Sequence, residues 1–322
     1  MKALLLLVFF FLTELVYFRI ANHFNIIDKP NQRSLHTKVT IRGGGILFVI
    51  AVILFFIYSN FSYPYFFFGT LCVAIISFLD DIYTLSSRYR LPFQFLAILM
   101  IILELDIYNN FSLVFIIIYL IIGVGIINAY NFMDGINGIT GGYSTTILAA
   151  LWVVNNYYKS FIENDFLVFV LASVIVFNFF NFRKKALCFA GDVGSISIAV
   201  IILFLITKIS IIDNNPIFFL FLSVYGVDSI VTIMYRLKKK ENIFEAHRTH
   251  LFQIIVFRKN VPHLLMSGIY VLLQTLICLL VIYQLHSSSI VQYSVGILIV
   301  TILILSYIFT RHKILNEASI AE

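Results

Sequence analysis

The sequence predicts an all-α, polytopic integral membrane protein, and three observations carry that expectation. Apolar residues make up 61% of the 322 positions and charged residues only 12%, at a mean hydropathy of +0.99, a balance foreign to water-soluble globular chains. Apolar runs close to the roughly 20 residues needed to cross a bilayer recur from end to end. Finally, the Lys and Arg residues sort onto alternate loops between those runs.

Eleven spans are expected, near residues 2–20, 44–60, 63–79, 92–105, 111–128, 140–156, 166–181, 194–208, 215–234, 263–283 and 289–309. The first, behind Lys2, has the outline of a signal peptide. No small-residue cleavage site follows it and many more spans do, so it reads as a membrane helix. The fourth is short, ends in Glu104 and Asp106, and takes Leu91-Pro92 as its start. With no linker, low-complexity block or repeat, residues 1–322 read as a single domain. Cys72, Cys188 and Cys278 are scattered and form neither a metal spacing nor a disulfide framework.

Nineteen of the 22 Lys and Arg fall after odd-numbered spans or in the C-terminal tail; Lys2, Lys159 and Lys208 lie opposite. The positive-inside rule then puts the N-terminus outside and the C-terminus in the cytoplasm. The net charge of +6 is therefore a topology signal, and no nucleic-acid partner is implied. Every notable polar cluster lands on that same inner face: 28–45, 80–94, 128–142, 181–195 and 228–253.

The stretch Asn128 to Gly142, NAYNFMDGINGITGG, is the most informative. Amides and a carboxylate at the mouth of two membrane helices are costly to place there. Their hard oxygens suit Mg²⁺ and nucleotides, and the glycines admit close backbone approach. Asp80-Asp81 closes the third span against its helix dipole, as a solvated helix end or as a general-base pair near a cation. Arg88 and Arg90 follow, with positive charge at the interface. Asp192, in FAGDVGS, either caps the eighth span or binds Mg²⁺, and Phe189 offers a ring for a base. In HRTHLFQ, His247, Arg248 and His250 make a better phosphate grip than a zinc site, for want of further ligands. Arg33, His36 and Arg42 stand before a triple glycine. Together these loops offer carboxylates and amides for a divalent cation, with Arg and His for phosphates. A soluble phosphorylated substrate meeting a lipid phosphate is the economical reading.

PNQRSLH with RGGG, DDIYTLSSRYRLPFQ, NAYNFMDGINGITGG, FAGDVGS and ENIFEAHRTHLFQ occur in that order between Asp28 and Gln253. In them the chain resembles the polyprenyl-phosphate N-acetylhexosamine-1-phosphate transferases (glycosyltransferase family 4). That family includes GlcNAc-1-phosphate transferases and, more distantly, phospho-MurNAc-pentapeptide translocase. The resemblance implies an enzyme of a bacterial cytoplasmic membrane with its site facing the cytoplasm. It implies transfer of sugar-1-phosphate from a UDP-amino sugar to undecaprenyl or another polyprenyl phosphate, with release of UMP and with Mg²⁺ or Mn²⁺ as cofactor. This would be the first membrane step of cell-surface polysaccharide synthesis. A homodimer stays open. By matching position, the resemblance implies Asp192 and Asn131 as metal ligands, and Asp80, Asp81 and His247 as catalytic. It likewise implies substrate contacts from Arg90, Asn128, Asp134, Asn137, Phe189, Arg248 and His250. Asn137 replaces a second Asp of the peptidoglycan enzyme and HRTH replaces its run of His, which favours a plain N-acetylhexosamine such as GlcNAc over MurNAc-pentapeptide. Two other classes compete: a polytopic transporter, which would place ionisable groups at mid-membrane, and an inactive lipid-binding homologue.

Overall fold

In the computed structural model, described for residues 1–28, 39–242 and 248–320, most of the described residues are helical. They are α1 Lys2–His23, α2 Ile46–Tyr58, α3 Pro64–Tyr83, α4 Ser87–Glu104, α5 Ile107–Asn110, α6 Leu113–Met133, α7 Ile139–Tyr157 and α8 Asn164–Asn181. After them come α9 Gly191–Ile212, a 3-10 segment Pro216–Leu222 continuing into α10 Ser223–Lys238, α11 Leu251–Lys259, α12 His263–Tyr283 and α13 Ser289–Ile320. The one sheet among the described residues pairs β1 Ile27–Asp28 with β2 Thr40–Ile41, antiparallel.

Each of the eleven expected spans overlaps a helix. Among the described residues, eight segments are long and apolar enough to cross a membrane: α1, α3, α6, α8, α9, Pro216–Lys238, α12 and α13; α2 is apolar but shorter. The fourth span departs from expectation at its start. Ser86 accepts a hydrogen bond from the Arg88 N–H and starts α4 five residues before Pro92, which is carried inside the helix. The cap therefore overrides the proline signal, and Arg90 sits on the first turn of a helix instead of in a loop.

The apolar pattern decides which helices lie inside. α9 is apolar all round, and Val193 to Ile206 is buried along the whole stretch. It packs against α2, α3, α6 and α7. At the α2 crossing a Cβ on Gly45 would run into Gly194 Cα, so the two backbones touch with no side chain between them. α1, α12 and α13 are as apolar but turn Leu4, Leu5, Leu272, Leu279, Leu298 and Phe309 outward. Such a surface fits lipid, not water.

Candidate active site at one end of the bundle

Five loop and helix-end segments meet at the α9 N-terminus. Residues 41–45 run beside 188–190: Phe189 N–H donates to the Ile41 carbonyl at 2.8 Å, Gly44 N–H to Phe189 O at 2.9 Å and Gly45 N–H to Ala190 O at 3.1 Å. Gly191 then turns at φ +71°, where a Cβ would also fall 2.5 Å from Asp81 Oδ2, so only glycine serves. The turn aims the first N–H groups of α9 at the end of α3. Asp81, whose side chain is fully buried, accepts from Asp192 N–H at 2.9 Å through Oδ1 and from Val193 N–H at 3.0 Å through Oδ2. A carboxylate borrowed from another helix thus caps α9 and answers its dipole. Asp192 does not cap its own helix; its side chain is left to the centre.

Around Asp192 the charges interlock. Arg42 Nε lies 2.7 Å from Asp81 Oδ1, and its Nη2 lies 3.5 Å from Asp192 Oδ1. Arg90 Nη1 reaches Asp80 Oδ2 at 2.8 Å and also pairs with Asp192 Oδ2. Asn131, on the last turn of α6, donates its amide to Asp192 Oδ1 at 2.9 Å and to Ser195 Oγ at 3.0 Å. Asp80, Asp81, Arg90, Asn131 and Asp192, from four helices, therefore share one constellation. Asp192 is 14% exposed and Arg90 20%, so it opens to solvent at one edge.

The other expected site residues lie around it at varying remove. Asn128 sits about one turn deeper on α6 and exchanges hydrogen bonds with Gln94 of α4, the shorter at 2.7 Å. Asp134 follows α6 and accepts from Thr140 Oγ1 at 2.7 Å; burial pushes its carboxyl up to about 6, although that hydrogen bond pulls it down. Asn137 turns away, donating to the carbonyls of Arg183 (3.0 Å) and Lys184 (3.3 Å), while its Oδ1 is buried without a partner. Phe189 is half-buried and held by its backbone. His250 is buried with Nδ1 3.2 Å from Asp228 Oδ1, and its ring lies 6.1 Å from that of Phe132, next to Asn131. Arg248, two residues before, lies near Phe257. His247, like Arg33 and His36, falls outside the described residues.

Three contributors take their roles only from the tertiary structure. Arg42 is one of many inner-face cations until residues 41–45 lie beside 188–190. Gln94 pairs with Asn128 only across two helices. Asn181 accepts from Gly138 N–H and donates to Cys188 O, both at 2.8 Å, tying the 128–142 loop to the 181–191 loop.

Fold and centre define an all-helical, multi-pass membrane protein whose charged machinery gathers at one end of its bundle. Residues 63–210, from α3 through most of α9, match the model of glycosyl transferase family 4. A probable undecaprenyl-phosphate N-acetylglucosaminyl 1-phosphate transferase of Bacillus subtilis (strain 168) is 27% identical over 252 residues, covering 72% of this chain and 70% of its own. Undecaprenyl-phosphate alpha-N-acetylglucosaminyl 1-phosphate transferases of Salmonella typhi and Escherichia coli (strain K12) are each 24% identical, covering 78% of this chain and 75% of theirs. The match and these relatives together support membership of glycosyl transferase family 4, the family to which the sequence motifs point.

Proposed function

We propose that the protein transfers N-acetylhexosamine-1-phosphate from a UDP-amino sugar to undecaprenyl or a related polyprenyl phosphate. Chain 1–322 acts as one domain in a bacterial cytoplasmic membrane, N-terminus outside and C-terminus inside, with the centre facing the cytoplasm. The observation that carries the reading is the meeting of three carboxylates, two guanidiniums and an amide at the α9 N-terminus. Such a set suits phosphoryl transfer, which asks the protein for positioning and charge neutralisation more than for covalent chemistry.

An oxygen of the lipid phosphate attacks the β-phosphorus of the donor, a new P–O bond forms, and the bond to the leaving UMP breaks. Arg90, which bridges Asp80 and Asp192, holds the lipid phosphate, with Arg42 on the Asp81 side of the cluster. Both oxygens of Asp81 are engaged by α9, so its part is to hold that helix; Asp80 is the carboxylate that faces the acceptor. An ionised lipid phosphate asks little of a base. Phe189 takes the nucleobase, Asn128 and Asp134 line the donor side, and His247, Arg248 and His250 take the diphosphate and sugar; Asn137, turned toward the Arg183 and Lys184 carbonyls, shapes that loop instead.

The donors fit Mg²⁺. Asp80 and Asp192 turn carboxylate oxygens onto one cationic nitrogen of Arg90, so two hard anionic ligands already converge on a positive charge. Asp192 would be the principal ligand and Asn131 the second, through its amide oxygen once the amide no longer donates to Asp192. No three His, Cys, Asp or Glu among the described residues are arranged to hold a metal. The ion would accordingly draw its other ligands from diphosphate and water, as Mg²⁺ commonly does, and it would neutralise charge on the leaving group.

The test is UMP release by purified protein in nanodiscs, given undecaprenyl phosphate, Mg²⁺ and a panel of UDP-amino sugars. Turnover that needs both lipid and metal is expected. No release with any donor, in Mg²⁺ or Mn²⁺, would overturn the proposal and leave the lipid-binding or transport reading.

A further inference from the structure

The last helix is longer than a membrane span requires. α13 runs for 32 residues, about 48 Å at 1.5 Å per residue, and so overshoots a hydrocarbon layer roughly 30 Å thick. The overshoot carries Arg311 to the segment that holds Arg248 and His250. Arg311 is 5% exposed; its Nη1 donates to the Thr249 carbonyl at 2.6 Å and to Tyr307 OH at 2.9 Å, and its guanidinium carbon lies 4.6 Å from the Tyr235 ring centre. None of the ion pairs among the described residues includes it. A charge that served only to orient the chain in the membrane would stay solvated, because burying a cation without an anion is expensive.

A polar chain leads onward from Arg311. Tyr307 OH and Thr232 Oγ1 are 2.7 Å apart, and Thr232 donates to Asp228 Oδ1 at 3.2 Å. Asp228 Oδ1 also accepts the Leu251 N–H at 3.0 Å and faces His250 Nδ1, while Asp228 Oδ2 accepts from Tyr270 OH at 2.5 Å. Three helices thus fix Thr249, His250 and Leu251. On the near side Arg236, also buried, pairs with Glu241 at 3.0 Å and donates to the Asn242 carbonyl at 2.6 Å.

We infer that Arg311 is a positioning residue for donor binding: it holds the Thr249 carbonyl so that Arg248, on one side, is presented to a nucleoside diphosphate while His250, on the other, stays anchored on Asp228. Its own uncompensated charge adds to the positive potential beneath them. The inference rests on the proposed transfer, and the test separates the two.

Arg311→Met and Arg311→Lys are compared with the wild type in nanodiscs. Arg311→Met should raise the KM for the UDP-sugar about tenfold, the worth of one hydrogen bond from a charged donor. The KM for undecaprenyl phosphate should not move, and Arg311→Lys should recover most of the loss. Equal shifts in both KM values, or none, would overturn the inference, as would a lysine variant no better than methionine. Hydrogen exchange of the resting protein gives a reading free of substrate: amides of Leu251 and Phe252 should exchange faster in Arg311→Met, and unchanged exchange would refute the clamp. If the wild type released no UMP, the proposed function would fall while the exchange result still decided the clamp.

Discussion

Asp81 and Asp192 are both acidic, both close to Arg42, and 2.9 Å apart between carboxylate oxygen and backbone nitrogen, yet the structure gives them opposite debts. Asp81 spends both oxygens on α9 N–H groups and one on Arg42 as well, with no exposure to water. In Asp81→Asn one oxygen remains; an amide N–H then faces an α9 N–H, and Arg42 loses its nearer anion. Hydrogen bonds to charged groups are worth about 1.5–3 kcal/mol each, and removing one member of a buried ion pair costs about 3–5 kcal/mol. A loss of about 3–5 kcal/mol is therefore expected for Asp81→Asn. Asp192→Asn keeps an acceptor for Arg42, relieves repulsion with Asp80 and retains a partly wet site. Its loss of stability should be smaller than that of Asp81→Asn, because no α9 N–H is left facing a donor and the site is partly open to water, while UMP release falls by orders of magnitude. Thermal unfolding followed by circular dichroism in one detergent, beside initial rates at low temperature, separates the two. Early unfolding of Asp192→Asn with a wild-type-like Asp81→Asn would refute the division of labour.

Two further outcomes follow from the same coordinates. Asp134 has its carboxyl raised to about 6, above the ordinary value of 3.8, so the folded protein holds this proton more tightly than the unfolded chain does. Its contribution to stability is complete below about pH 4 and is lost as pH rises through 6, amounting to about 3 kcal/mol by linkage; unfolding of Asp134→Asn measured from pH 4.5 to 7.5 should lack that decline. Gly45→Val would force a side chain between α2 and α9, where overpacking costs about 1–3 kcal/mol or more. It should lower the yield of monodisperse protein on size exclusion, whereas Gly226→Ala, where an added Cβ meets nothing within 4 Å, should not.

Much of the architecture was legible because the bilayer imposes a single strong rule. Backbone polar groups must be satisfied internally in lipid, so long apolar runs are helices whatever their partners. All eleven expected spans overlap helices for that reason, and the acidic and amide clusters stand out because such groups are expensive at helix ends. The start of α4 was misjudged because Pro92 is a conspicuous signal and the Ser86 cap a quiet one. Arg42 stood out only as one of three basic residues before the triple glycine, and Arg311 only as one more inner-face cation. Their roles depend on which carboxylate or carbonyl lies across a gap of more than 60 residues, from Arg42 to Asp192 or from Thr249 to Arg311.

Hydropathy and charge bias by themselves determined a helical, multi-pass chain with its polar residues gathered toward one end, because transfer between water and lipid is decided residue by residue. Only the tertiary structure decided that Asp81 serves the backbone of α9 while Asp192 is left facing the two arginines. Hydrogen bonds and ion pairs act over about 3 Å, and no sequence spacing states which groups folding brings that close.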